Sequence, residues 1–247
     1  MKKIIYLFIC CTVFSYNCSA ERGSIDDFSE PIDLENDPSD NDTNVQGEYN
    51  VLALGDSYTI GQSVCQTCRF PVQLRDSLEQ KFEPEATIGL KIIAQTGWPT
   101  GSLINAIETD NTSSNYDLVT LLIGVNNEFQ NRPFSVYESE FPELVNTAIS
   151  KGKGDKTNVI VISIPDYAFT PFGKGNPEIS ARIDTYNYFA EKYCIDNNIT
   201  FVNITDITRM GLDDPSLVAS DGLHPSEQAY TKFVARILPF ATEKLKN

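Results

Sequence analysis

One histidine, His224, stands in this chain of 247 residues. It lies in the run Ser220-Asp221-Gly222-Leu223-His224-Pro225, far along the chain from a Gly55-Asp56-Ser57 turn that follows a short apolar stretch. Imidazole has the unperturbed pKa best suited to taking a proton from a serine hydroxyl at neutral pH and returning it to a leaving group. The carboxylate of Asp221, in the same loop, would orient the ring through Nδ1 and stabilise the imidazolium. These types in this order suggest a split nucleophile and base, with Ser57 as nucleophile. Each residue also has a plainer use: Asp-x-x-His describes a solvated loop histidine, Ser57 could cap a helix, Gly97 could serve a turn, and Asn126 and Asp221 could satisfy loop backbone. Their joint arrangement carries the functional reading.

That arrangement depends on the elements that must position them. Five short β-rich apolar runs, at 50–54, 91–94, 118–123, 158–164 and 200–203, alternate with helical apolar spacing at 71–82, 102–108, 135–150, 177–197 and 226–246. The third and fourth runs are nearly continuous in Val, Leu and Ile, as in parallel strands covered on both faces. The alternation predicts an α/β fold, a three-layer α/β/α sandwich with a five-stranded parallel flavodoxin-like sheet. Sites in such sheets form beyond the carboxyl ends of the strands. Ser57 follows the first run. Gln95-Thr96-Gly97-Trp98 follows the second, where the Gly97 N–H can approach a ligand with no Cβ in the way. Gly124-Val125-Asn126-Asn127 follows the third and offers an amide donor, and the chain after the fifth leads to Asp221 and His224. No internal repeat, G-x-G-x-x-G or Walker motif supports nucleotide binding.

With these four blocks in order, the sequence from Val51 to the C-terminal helix resembles the SGNH hydrolases, the GDSL group of esterases and lipases. The resemblance implies Ser57 as nucleophile, His224 and Asp221 as base and orienter, and an oxyanion hole formed by Ser57 N–H, Gly97 and Asn126. Asn127 departs from the pattern, since many members carry aspartate there. The Cys65-Gln66-Thr67-Cys68 segment has no counterpart in the motif. An acyl-enzyme mechanism follows from the resemblance and needs no metal or organic cofactor. The absence of a G-x-S-x-G elbow separates the chain from ordinary α/β-hydrolases. Trp98, Tyr167, Phe169 and Phe172 are candidates for the acyl pocket. The expected substrate is a small-molecule or glycan ester, with short acyl groups favoured; a carbohydrate O-deacetylase or lipid esterase would keep the same catalytic residues. From another class, a non-catalytic glycan-binding envelope lipoprotein would not need the base.

The N-terminus suggests export. Residues 1–20 begin with Lys2 and Lys3 and run through an apolar stretch too short to span a bilayer, as an export signal does. Cys18-Ser19-Ala20 suits cleavage after Ala20, while Cys18 could instead become the lipidated first residue of a bacterial lipoprotein. Residues 21–49 hold ten acidic residues against one basic, Arg22, and read as a disordered acidic tether to a hydrolase domain at 50–247. Much of the formal net charge of −15 therefore belongs to the tether. A negative chain without a basic, aromatic-interleaved stripe argues against nucleic acid as a partner. Membrane attachment would come only through a lipidated Cys18, which places the protein in the bacterial envelope, the periplasm or outside the cell. Cys65, Cys68 and Cys194 remain after the signal, an odd number that forbids complete internal pairing. A loop disulfide between Cys65 and Cys68 fits an oxidising compartment better than a thioredoxin-like redox pair or a metal site.

Overall fold

Val, Leu and Ile fill the innermost strands because both faces of those strands are covered. In the computed structural model, which describes residues 47–246 except 83 and 85, β3 (Leu118–Leu122) and β4 (Val159–Ile162) are buried at every position. They lie in an all-parallel five-stranded sheet of order β2-β1-β3-β4-β5, with β1 at Gly47–Gly55, β2 at Ala86–Ala94 and β5 at Thr200–Val202. The expected five-stranded parallel α/β sandwich is therefore present.

Eight α-helices are found among the described residues: α1 (Ser57–Ile60), α2 (Phe70–Phe82), α3 (Thr100–Asp110), α4 (Val125–Phe129), α5 (Phe134–Lys151), α6 (Pro177–Asn197), α7 (Thr205–Thr208) and α8 (Glu227–Lys246). The chain leaves β1 in one direction to reach β2 and then crosses back to β3, so right-handed crossovers put α2 on one face of the sheet and α3 and α5 on the other. Consistent with this, α2 packs on α8, while α5 packs on α3 and α6. Tyr137 of α5 lies 4.6 Å, centroid to centroid, from Tyr186 of α6, and Phe70 of α2 lies 6.3 Å from Tyr230 of α8. The crossing direction changes at β1, which makes the gap between the ends of β1 and β3 the topological switch point where ligands settle in such sheets.

Local signals explain some boundaries better than others. Asn176 caps α6 by accepting from the Glu178 N–H at 2.9 Å, Pro177 opens the helix, and Asn198 ends it in the left-handed region, so α6 spans the expected 177–197. By contrast, β1 and β2 begin at Gly47 and Ala86, before the expected 50 and 91. Apart from buried Ile88, their early residues are exposed or half-exposed, but the backbones pair in register from Gly47 with Ala86 to Gly55 with Ala94. Residues 47–49, assigned by sequence to the tether, thus belong to β1. The export signal and the rest of the acidic segment lie outside the described residues. Among those described, no helix is long and apolar enough to cross a membrane.

Candidate active site

Ser57 is placed by the end of β1. A Cβ on Gly55 would lie 2.4 Å from the Leu122 carbonyl oxygen, so only glycine lets β1 pass the end of β3 here. Asp56 then caps α1, its Oδ1 accepting from the Tyr58 N–H at 3.0 Å, and Ser57 opens the helix with 4% exposure. The Ser57 carbonyl accepts from the N–H groups of Gly61 and Gln62 at 3.1 and 3.0 Å.

Asp56 is wholly buried. Burial pushes its carboxyl up to about 7, against the opposing pull of the Tyr58 N–H and the nearby Asn126 amide. The amide favours the carboxylate without completing a hydrogen bond: Asp56 Oδ2 and Asn126 Nδ2 are both buried and unpartnered. Asn126 sits in the first turn of α4, directly after β3. That turn starts at Gly124, which has φ +129 and lies so close to Tyr137 that a Cβ would come within 2.6 Å of Cε2.

Asp221 and His224 come from the irregular chain between α7 and α8. His224 Nδ1 lies 2.6 Å from Asp221 Oδ2, while Asp221 Oδ1 accepts the N–H groups of Leu223 and His224 at 2.9 and 3.0 Å. Ser63 donates its hydroxyl to Oδ2 at 2.6 Å. Burial opposes the charge on Asp221, but the hydrogen bonds from Ser63, His224 and Leu223 outweigh it and hold the carboxyl well below the usual carboxylate range. Tyr58 packs edge-on against the imidazole with ring centroids 5.7 Å apart.

Ser57, Gly97, Asn126 and His224 all line one cleft of about 170 Å³, and Asp221 stands behind His224. Gly97 has φ +85, a region that favours glycine, and its carbonyl accepts from Gln130 Nε2 at 2.8 Å, which fixes the peptide. A larger hollow of about 490 Å³ by α2 and β2 is lined by none of these residues. Residues 53–232 match the model of the GDSL-like lipase/acylhydrolase family. The chain belongs to that family.

It is accordingly an ester-hydrolysing enzyme. The solved structures it is similar to include a psychrotrophic esterase, EstA, from Pseudoalteromonas sp., at 17% identity and TM-score 0.60, covering 80% of this chain and 99% of that one. A variant of the acetyl xylan esterase Axe2 from Geobacillus stearothermophilus matches at 19% identity and TM-score 0.61, covering 80% and 96%. A lipase/acylhydrolase from Enterococcus faecalis matches at 21% identity and TM-score 0.59, covering 79% and 96%. At these identities the likeness is one of fold. A search of the curated proteins gives no match.

Within this GDSL-like hydrolase, the departure at Asn127 has a clear structural use. Its Oδ1 accepts the Thr100 N–H at 2.9 Å and its Nδ2 donates to Thr100 Oγ1 at 2.6 Å, tying α4 to the start of α3. The aromatic candidates separate. Tyr167 lines the cleft and its hydroxyl donates to buried Glu128 at 2.8 Å. Phe172 is 53% exposed and lies 6.3 Å from the Tyr167 ring and 5.8 Å from Phe129. Trp98, expected in the pocket, instead packs partly buried against the hydrophobic core. Phe129 does line the cleft and was missed; its position three residues after Asn126 on one helical face was the available signal. Ser63, whose hydroxyl meets Asp221, has no local signal in the sequence. The loop disulfide joins Cys65 and Cys68 with Cα atoms 4.9 Å apart, and the buried Cys194 thiol is pushed by burial up to about 12. Among the described residues, no group of three or more His, Cys, Asp or Glu side chains is placed to hold a metal ion.

Proposed function

We propose that this chain is a serine esterase that hydrolyses carboxylic esters of short acyl groups through an acyl-enzyme on Ser57. His224 takes the Ser57 proton as Oγ attacks the ester carbonyl, while Asp221 holds the ring and stabilises the imidazolium. The Ser57 and Gly97 N–H groups and the Asn126 amide meet the charge that develops on the carbonyl oxygen. The imidazolium then protonates the leaving alcohol, and a water activated by His224 releases the acid.

The observation that carries this reading is the 2.6 Å contact between His224 and Asp221 at a cleft also lined by Ser57, Gly97 and Asn126. Val125, Phe129, Tyr167 and Leu223 bound the cleft with apolar surface, and its volume of about 170 Å³ suits a short acyl group better than a long chain. Turnover of p-nitrophenyl acetate, lost in Ser57→Ala, together with fluorophosphonate labelling of Ser57, tests the mechanism. Preference for the decanoate ester would reject the short-acyl part, and absence of both turnover and labelling would favour the non-catalytic glycan-binding reading.

Glycan O-deacetylation is the second reading. The adjoining rings of Phe129 and Phe172, 43% and 53% exposed, offer apolar faces beside the cleft on which a sugar could stack. A structural neighbour is an acetyl xylan esterase. Acetate release from acetylated xylo-oligosaccharides, compared with simple acetate esters, distinguishes the two. For localisation, the N-terminal sequence supports export, either with cleavage after Ala20 or with anchoring in the bacterial envelope through a lipidated Cys18. Membrane fractionation of Cys18→Ser tests this, and unchanged membrane retention would reject the anchor.

A further inference from the structure

We propose that Ser63 is a positioning residue for the Asp221–His224 pair and that the Cys65–Cys68 disulfide holds Ser63 in place. This rests on the catalytic roles proposed above. The 61–69 loop between α1 and α2 touches three parts of the site. Its Gly61 and Gln62 N–H groups donate to the Ser57 carbonyl, and Gln62 Oε1 accepts from Thr96 Oγ1 at 2.7 Å, beside Gly97. Ser63 reaches Asp221 across 158 positions of sequence. The two backbone donors to Asp221 both come from its own turn and occupy Oδ1, whereas Oδ2 is shared by the imidazole and the Ser63 hydroxyl. Ser63 therefore fixes, from the nucleophile's side, the oxygen that orients the base.

Two features of the loop suit it to this role. Ser63 adopts φ +67, a conformation that glycine would accept with less strain, so the hydroxyl is kept at a conformational cost. The loop is also tightly closed: Gly61 packs so near Arg69 that a Cβ would lie 2.4 Å from the Arg69 Cβ, Val64 N–H donates to the Gly61 carbonyl at 3.3 Å, and the disulfide closes the turn that follows. The disulfide limits the conformations open to that turn. Cys65 is exposed and Cys68 half-buried, so a dithiol can reach the bond, reduce it to two thiols and be oxidised to its own disulfide.

The test uses Ser63→Gly, which accepts the backbone conformation and removes only the hydroxyl. For a short chromogenic ester, kcat should fall about 10-fold with KM unchanged, as expected for loss of one hydrogen bond to a charged group. Ser63→Asn tolerates the same φ, keeps a donor and should recover part of the loss. With one imidazole in the chain, the low-field proton signal of His224 Nδ1–H can be assigned directly, and it should shift or broaden in Ser63→Gly. Dithiothreitol should lower the wild-type kcat reversibly and leave that of Ser63→Gly unchanged. Wild-type kcat and an unaltered Nδ1–H signal in Ser63→Gly, or a loss confined to KM, would overturn the positioning role. Unchanged kcat in the reduced wild type, or a further drop in reduced Ser63→Gly, would overturn the part given to the disulfide. If the esterase mechanism itself were wrong, the wild type would show neither turnover nor Ser57 labelling, while the imidazole signal would still report on Ser63.

Discussion

The two halves of the site are held by different forces. Ser57 and Asn126 follow β1 and β3, whose ends pair as Gly55 with Leu122, and both residues are nearly buried. Asp221 and His224 stand on irregular chain, where the carboxylate remains partly exposed and is kept in place by turn N–H groups and Ser63. The adjoining Gly222 carbonyl is tied down by the Phe172 N–H at 3.0 Å. Sheet packing thus sets Ser57 and Asn126, whereas directional polar contacts set Asp221 and His224. A packed strand end tolerates almost no change in shape, while a hydrogen-bonded loop tolerates new shape but not lost donors.

The largest expected effect falls on the loop half. His224→Ala should lower kcat by several orders of magnitude, since no second histidine can substitute, while circular dichroism melts stay near wild type. Substantial retained turnover that still depends on Ser57 would sink the base assignment. On the strand half, Asn126→Ala should cut kcat about 100- to 1000-fold and change KM much less. A loss lying wholly in KM would make Asn126 a substrate-binding residue.

Stability should reverse the ranking of the halves. Gly55→Ala forces a Cβ against the Leu122 carbonyl and should cost about 3 kcal/mol in urea unfolding. Gly222→Ala has φ +72 but only an ordinary 3.4 Å contact with Pro171, so about 1 kcal/mol is expected. Equal costs would erase the distinction between packed strand end and adaptable loop.

The two aspartates should also differ in sign with pH. Asp56 is raised from 3.8 to about 7 in the folded protein, so its contribution is fully present below about 3.8 and is lost as pH rises through 7. Asp221 is lowered, so its contribution is present above 3.8 and is lost as pH falls toward its folded value. Thermal melts from pH 3 to 8 should show the alkaline loss flattened in Asp56→Asn, and melts carried on to about pH 2 should show the acid loss reduced in Asp221→Asn. The smallest effect is expected from a chain shortened to begin at Gln46, one residue before β1, which should match the full-length kcat. A soluble but inactive product would show that the acidic segment belongs to the folded domain.

The sequence alone determined the parallel sheet, the order of its strands along the chain and the four blocks of candidate site residues, because continuous apolar runs, helical spacing and turn residues are local consequences of burial and backbone preference. Its helical spacing over 177–197 also matched the bounds of α6. Tertiary structure decided the rest. The early residues of β1 and β2 become strand only by pairing with each other, Trp98 turns to the core while Phe129 takes a place at the cleft, and Ser63 meets Asp221 across 158 positions. None of these contacts leaves a periodic trace in the sequence, since each depends on where two distant backbones come to lie.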